Sequence, residues 1–415
     1  MFSTAGSERD SQPQSSTPPD RGTSTTAPAN RPAATPARST TRTTARPRVA
    51  VVGGSLSGPT TALLLLQAGI DDVTVYEAVP ASAPQGGGLI GLEHSSLDVL
   101  DHLGIPQDEF VRHDSEAVMQ ITVCQRQPGQ VRRHLYAGRN TTWTLLHTAL
   151  SRRLPTDVLR TGARVTGLSA EHDQPLLHFA DGNTAPADLV VFADGRSSTG
   201  RRLLDPQRRL HYAGYVAHRG QTTSTQPDLH DFLRYEPAEH SGMQFNVAPI
   251  PDGADWTFYL SATPAQYEDF FGAPPTRRVF ALPHHITAAA RTEVDASAEQ
   301  YLPDEQAALV HATTTRMAAP VMDIEPPTQM VWPVGAGHAV LIGDALAPVR
   351  PHTARGANNG IEQAWGLAAA LTQHRKYHAD LTTALDGWQH RHLPAAVAAV
   401  QLGPELGRQY GLGTV

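Results

Sequence analysis

The sequence contains a single cysteine, Cys124, among 415 residues. That excludes an intrachain disulfide and any zinc cluster built from several thiolates, and it points to a reducing, cytoplasmic setting. Long apolar runs are also missing. The strongest candidate, residues 62–66, is far too short to span a bilayer, so no membrane partner is expected. Positive charge is in deficit, with a formal net charge of −7, which argues against a nucleic-acid surface. Large apolar side chains are scarce in residues 1–47, where Ser, Thr, Pro, Ala and Arg dominate. Such a stretch cannot bury enough surface to offset its ordering entropy, which predicts a disordered tail outside the fold. It has no apolar segment of the kind a secretory signal needs.

The remainder, in a chain 40% hydrophobic and 18% charged, suits one large or two medium globular domains. Its organising stretch is VAVVGGSLSGPTTALLLLQAGIDDVTVYE, residues 49–77. Residues 49–52 are apolar and uncharged, as in a strand buried on both faces of a parallel sheet. Gly53-Gly54-Ser55-Leu56-Ser57-Gly58 follows, then a helix over 59–67 that closes at Ala68-Gly69, then a strand ending on Glu77. This is a βαβ unit of the dinucleotide-binding kind. Gly53 permits the tight exit from the strand, and Gly58 lets the helix lie close to the sheet. The helix start offers free N–H groups to a pyrophosphate, and Glu77 is placed to accept from a ribose diol. Ser55 replaces the middle glycine of the usual GxGxxG pattern.

Further along, Gly86 to Gly91 form a glycine-rich crossing, and a helix follows from Ser95 to Leu103 with His94 as a flanking polar residue. Thr142 is positioned to cap a helix over 144–154. Two short strands are expected over 176–191, around the turn Asp181-Gly182-Asn183. The apolar run 187–193 ends in Asp194-Gly195, and Arg196 to Arg201 then open a helical turn. Alternation from Tyr212 to Tyr259 predicts an antiparallel sheet with one dry face, turning at Pro251-Asp252-Gly253. Residues 264–317 read as helical and irregular. A third strand, 339–342, ends in Gly343-Asp344 before an irregular loop and a helix from about Gly356 to Thr372. His374 and His378 have i,i+4 spacing but no third ligand, so no metal site is expected.

Taken together, GGSLSG with Glu77, ADGRSSTGR at 193–201 and LIGDALAPVRPHTARGANNG at 341–360 resemble a known family. It is that of the single-component FAD-dependent aromatic monooxygenases, the class A flavoproteins similar to p-hydroxybenzoate hydroxylase. GYVAHRG at 214–220 and DIEPP at 323–327 resemble the dihydroxypyridine hydroxylase branch. The resemblance implies a mixed α/β chain. A Rossmann-type FAD-binding domain would occupy 48–210 and 336–415, the latter with C-terminal helices, and an interleaved antiparallel-sheet substrate domain would occupy 211–335. Gly53, Ser55, Leu56 and Gly58 would cradle the pyrophosphate, and Glu77 would hold the adenosine ribose. Asp194 and Gly195 would serve FAD and the passing NAD(P)H. Gly343 and Asp344 would bind the ribityl or pyrophosphate, with Pro351, Gly356, Ala357 and Asn358 along the isoalloxazine.

The implied reaction uses NAD(P)H to reduce FAD and O2 to form a C4a-hydroperoxide, which hydroxylates an aromatic or heteroaromatic small molecule. His218 and His352 are the candidate proton acceptors, and Arg355 is the candidate for holding an anionic flavin or an acidic substrate. Epoxidation, Baeyer–Villiger insertion, oxidative decarboxylation and a flavin-binding protein without turnover stay open on this scaffold, as does a homodimer. The sequence also departs from the pattern. Ala347, Ala354 and Arg355 stand where many relatives carry His, Gly and Gln; Trp143 stands in place of an arginine, and His218 in place of a Trp.

Overall fold

The apolar run Val49–Val52 lies inside a six-stranded sheet, with every one of its four residues buried. It pairs in parallel with Leu189–Phe192 on one side and Val73–Glu77 on the other. Gly337–Leu341 adds in parallel beyond Leu189–Phe192, and both are buried throughout. Leu159–Thr161 forms one edge of the sheet and the antiparallel Val331–Val334 the other. Strands without a polar face must be covered on both sides. The helices Ser57–Gln67, Arg355–Tyr377 and Leu381–Gln409 contribute Leu64, Leu65, Ile361, Leu367 and Trp388 to that cover. The computed structural model describes residues 47–82, 86–111, 115–223, 229–238, 242–250 and 253–413. Most of the expected tail (1–46) and Pro251-Asp252 of the expected turn lie outside the described residues.

Because Val49–Val52, Leu189–Phe192 and Gly337–Leu341 are adjacent and parallel, their carboxyl ends share one edge. That edge carries Gly53, Asp194 and Gly343-Asp344 together. In sheets of this type ligands bind outside the carboxyl ends of the strands.

A second sheet has seven strands. In spatial order they are Arg316–Asp323, His211–Thr222, Gly253–Ser261, Met243–Ile250, Phe232–Pro237, Ala117–Cys124 and Gln127–Leu135. The last two come from a stretch placed by the sequence in the first cofactor segment. Ala117–Cys124 joins this sheet because Ile121 and Val123 enter the core beneath it. The expectation of one dry face is corrected here. The strands His211–Thr222, Met243–Ile250 and Gly253–Ser261 are buried over most of their length on both faces. One face presents Phe245, Val247, Trp256 and Phe258 to Val294, Leu309 and Val310 on the helices Ala288–Tyr301 and Asp304–Ala312. The alternate residues form the other face, and many are polar: Gln244, Asn246, Asp255 and Thr257 are all buried. Strict alternation of side chains explains the split.

The chain returns to this second face at its end. Beyond the helix Leu381–Gln409, Leu412 packs with Ala213, Tyr215 and Tyr259, and Tyr410 packs beside them. Arg350 fixes this corner. Its Nε and Nη2 donate to the two carboxylate oxygens of Asp323 at 2.6 and 2.5 Å, and its side chain fills the space left by Gly403 and Gly407. No described helix is long and apolar enough to cross a membrane. Asp323→Ala strips a buried guanidinium of its carboxylate and is expected to destabilise the fold by about 3 kcal/mol. A lower urea midpoint at unchanged slope is the measurement that checks it.

Candidate active site

Two glycines of the first loop leave no room for a side chain. Gly53 has φ +112°, and a Cβ there would overlap the Ala193 carbonyl, while a Cβ on Gly58 would overlap the Gly53 carbonyl oxygen. The loop therefore folds tightly onto the sheet edge and starts the helix Ser57–Gln67 at buried Leu56. That helix start has no side-chain cap and no acidic residue in its first turn, so its N–H groups remain free for an anion. Glu77 is held at the adjacent strand end. Its carboxylate accepts from the N–H of Gly54 at 2.6 Å and of Val79 at 2.7 Å. Ser55 is exposed, and the indole N–H of Trp143 donates to its hydroxyl at 3.0 Å. Trp143 stacks on His147 at 4.4 Å, and the His147 Nε2 lies 3.1 Å from the Gly54 carbonyl oxygen. Burial pushes the His147 pKa down, so a neutral ring donates that bond. The tryptophan at the place of the missing arginine is thus tied to the loop.

At the second loop, Asp194 accepts from the Ser198 hydroxyl at 2.5 Å and from the Thr199 and Gly200 N–H groups at 2.6 and 3.3 Å. Its carboxylate caps the short helix Thr199–Leu204, and Gly195 turns the chain at φ +71°. Arg201, buried, donates to the carbonyls of Asp344 and Ala345 at 3.1 and 2.8 Å and so ties the second loop to the third. The Asp344 carboxylate takes no hydrogen bond among the described residues. Burial pushes its pKa up, opposed by Arg196 and Arg201. An uncapped helix start, a glycine turn that excludes any Cβ, and an open carboxylate fit the phosphates and hydroxyls of FAD.

The third loop forms a turn, Pro351–Thr353, then Ala354 in the left-handed region at φ 52° and ψ 14°, and then the helix Arg355–Tyr377. Gly356 stands beside the Asp344 carboxylate, with Ala357 packed onto the core behind it. Two expected side-chain roles change here. Arg355 is paired with Glu93 and Glu362 at 2.5 Å each and also donates to Asn359 at 3.0 Å, so its guanidinium is not free for flavin or substrate. Asn358 donates to the carbonyls of Gly91 and Ala354 at 3.0 and 2.7 Å and accepts from the Glu93 N–H at 2.9 Å. Both side chains join the helix start to the strand Leu89–Glu93, and only the backbone N–H groups of this turn remain for a ligand.

His218 is the third correction. It lies on the helix-facing side of the seven-stranded sheet, 5.9 Å from the Phe271 ring, in the same row of alternate residues as Val216. Burial, aided by Arg316, holds its pKa down to about 3. Arg219, its neighbour, faces the opposite way, and its guanidinium lies against Gly88 of the glycine crossing. His352 packs against the other face of the sheet, beside Tyr215 and Tyr259. Its Nε2 is 3.1 Å from the Tyr215 hydroxyl, its ring is 4.5 Å from Tyr259 and 5.4 Å from Tyr410, and its Nδ1 is buried without a partner. Burial, then Arg234 and Arg350, push its pKa down to about 3. Reading GYVAHRG with period two would have separated His218 from Arg219. Nothing local marks Tyr410.

The buried His218 sets a pH dependence. The unfolded chain takes up a proton as pH falls through 6.5, while the folded chain does not until about 3. Stability is therefore lost between those values, at up to about 1.4 kcal/mol per pH unit from this one group. His218→Gln is expected to flatten the slope of stability against pH by that amount, as read by urea unfolding from pH 6.5 down to 4. Ala354→Gly relieves a left-handed alanine and is expected to stabilise the fold by about 1 kcal/mol. A higher melting temperature with unchanged FAD content is the result that checks it.

Comparison with known proteins agrees with this geometry. The chain is 27% identical to the 6-hydroxynicotinate 3-monooxygenase of Bordetella bronchiseptica over 343 residues, covering 79% of this chain and 83% of that one. It is 26% identical over 369 residues to the 2,6-dihydroxypyridine 3-monooxygenase of Paenarthrobacter nicotinovorans, covering 83% and 87%. The solved structure of 2,6-dihydroxypyridine-3-hydroxylase from Arthrobacter nicotinovorans superposes with a TM-score of 0.78 at 23% identity, covering 89% of this chain and 94% of that one. The FAD binding domain family matches residues 46–402, and the chain belongs to it.

Proposed function

We infer that this chain is an FAD-dependent monooxygenase that hydroxylates a small aromatic or heteroaromatic molecule, with NAD(P)H as transient electron donor and O2 as oxidant. The observation that carries this reading is the meeting of two features. Three glycine-bearing loops share one edge of the parallel sheet, and a buried polar sheet face lies beside the third of them, at His352. The relatives named above carry names of enzymes that act on hydroxylated pyridine rings.

FAD supplies the redox chemistry when bound, accepting electrons from NAD(P)H and passing them to O2. Gly53, Ser55, Leu56 and Gly58 would hold its pyrophosphate, Glu77 its ribose diol, and Gly343 and Asp344 its ribityl chain or pyrophosphate. The backbone N–H groups at the helix start, at Gly356 and Ala357, would offer partial positive charge to the flavin ring. Asp194 and Gly195 act through the short helix they cap and the loop they shape.

His352 accepts the hydrogen bond of a substrate hydroxyl. With the Nε2 proton directed to the Tyr215 hydroxyl, the free lone pair sits on Nδ1, the buried atom without a partner. The ring stays neutral across the physiological range, because burial and two arginines disfavour its charged form. It thus draws density onto the substrate oxygen without adding a charge.

The purified protein is expected to show flavin absorbance, and its NAD(P)H oxidation is expected to accelerate with an aromatic ligand that gains one oxygen atom. His352→Ala is expected to retain FAD and lower kcat by about 10²-fold. A colourless protein that FAD cannot reconstitute overturns the reading. Bound FAD with NAD(P)H oxidation indifferent to every aromatic tested marks a flavin-binding protein without turnover.

A further inference from the structure

Residues 272–287 hold two arginines, two histidines and no acid. The segment leaves the helix Pro264–Phe271 at Gly272, which is left-handed at φ +73°. It is then pinned from several sides. The Arg278 N–H donates to the Pro274 carbonyl at 2.9 Å, and the Tyr267 hydroxyl donates to the Arg278 carbonyl at 2.6 Å. Ala281 and Ala318 exchange N–H···O bonds at 2.7 and 3.0 Å, which ties the segment to the strand Arg316–Asp323. Arg196 reaches across from the second loop and donates to the Val279 carbonyl and, at 3.4 Å, to that of Pro320. The segment therefore borders the Asp194-Gly195 turn, and the Asp344 carboxylate acts on Arg196 from the other side.

The cations of this segment lack an anion. No carboxylate pairs with Arg277 or Arg278 among the described residues, and the Arg278 Nε is buried with nothing to bond. Glu268 and Asp269, on the helix that precedes the segment, are exposed and form an ion pair with neither. Arg278 is half-buried, and its charge is felt by the Tyr267 hydroxyl and by the His285 ring. His285 is oriented by its own backbone. Its Nδ1 accepts from the Leu282 N–H at 3.1 Å, so the neutral ring carries its proton on Nε2. The exposed His284 lies against it, with 3.9 Å between ring centroids. A guanidinium and an imidazole N–H, without acceptors among the described residues, thus stand close together on one fixed segment.

A half-buried guanidinium without an anion is costly, and the cost is removed when an anionic ligand group binds it. The phosphates of FAD belong at the first loop, so this donor set is left for another molecule. The reduced nicotinamide dinucleotide also carries phosphates, and it must come from solvent to the edge that this segment borders. NADPH differs from NADH only by a phosphate on the adenosine 2′-oxygen. That group is close to a dianion and has three free oxygens, two of which a guanidinium fork can take at once. The pyrophosphate common to both dinucleotides is better served by backbone N–H groups at a helix start, which this segment does not offer. We propose that Arg278 and His285 hold the 2′-phosphate of NADPH, so that the chain takes electrons from NADPH in preference to NADH. This rests on the monooxygenase reading above, which leaves the choice of dinucleotide open.

The test uses the FAD-loaded protein and reads binding apart from turnover. Calorimetry gives dissociation constants for 2′,5′-ADP and 5′-AMP, fragments that differ only in the 2′-phosphate. Anaerobic mixing gives the concentrations of NADPH and of NADH that half-saturate the rate of flavin bleaching. Wild type is expected to bind 2′,5′-ADP roughly 10- to 100-fold more tightly than 5′-AMP, and to favour NADPH over NADH by a similar factor. Arg278→Gln is expected to erase most of both differences while half-saturation by NADH stays within about twofold and the limiting rate is unchanged. Arg278→Lys should restore part of the preference, and His285→Gln should lower it several-fold, to roughly a third or less. Equal binding of the two fragments by wild type overturns the proposal without any variant and leaves the monooxygenase reading standing. So does an Arg278→Gln protein, FAD-loaded and melting normally, that keeps the preference. A flavin that neither dinucleotide bleaches overturns both this inference and the reading beneath it.

Discussion

The site depends on the parallel register of three short strands, Val49–Val52, Leu189–Phe192 and Gly337–Leu341. Their pairing brings three loops from positions nearly three hundred residues apart to one edge. Arg201 then locks the second loop to the third through the Asp344 and Ala345 carbonyls. Gly58 makes this possible for the first loop, since any side chain there would displace the Gly53 carbonyl and lift the helix from the sheet. The resulting edge offers donors at a helix start and an open carboxylate at Asp344. Those suit the phosphates and the hydroxyls of one extended ligand.

The second constraint is the alternation of the seven-stranded sheet. It decides which of two adjacent polar residues faces the polar side of the sheet. His218 falls on the side packed by helices, among Val216 and Phe271, and Arg219 on the side of Gly88 and His352. Burial on both faces makes a slip of one residue expensive, because it would place Trp256 and Phe258 where Asp255 and Thr257 now stand. The register is thus held by the apolar face, and the polar face inherits its order.

What could be read in the sequence was local. The glycine turns, the strand-ending acids and the helix beginning near Arg355 each announce themselves within a few residues, and the structure contains all of them. The side-chain roles of Arg355 and Asn358 could not be read this way, because their partner Glu93 lies more than 260 residues away in the chain. Asp344 depends on no distant side-chain partner, since its carboxylate accepts no hydrogen bond among the described residues. Arg234 carries no local signal, because its hydrogen-bond partner Tyr410 lies 176 residues away in the chain. Trp143 stands in the sequence only as a departure, and its indole N–H donates to Ser55, the other departure at this loop. A serine in the loop gives the indole an acceptor that glycine could not.

These substitutions redistribute positive charge. Around the first loop, the arginine that the family resemblance leads one to expect is a neutral indole, so the helix start stands there with Trp143 rather than a cation. At the third loop an extra arginine is present, but Glu93 and Glu362 neutralise Arg355 and turn it into a joint. Two arginines with no carboxylate partner among the described residues, Arg219 and Arg234, lie at opposite ends of the Thr257–Asn246 pair on the polar face of the sheet. Uncompensated charge in a partly buried setting acts at longer range than the same charge in water, because little solvent screens it. The two guanidiniums therefore give this largely buried polar face a local excess of positive charge.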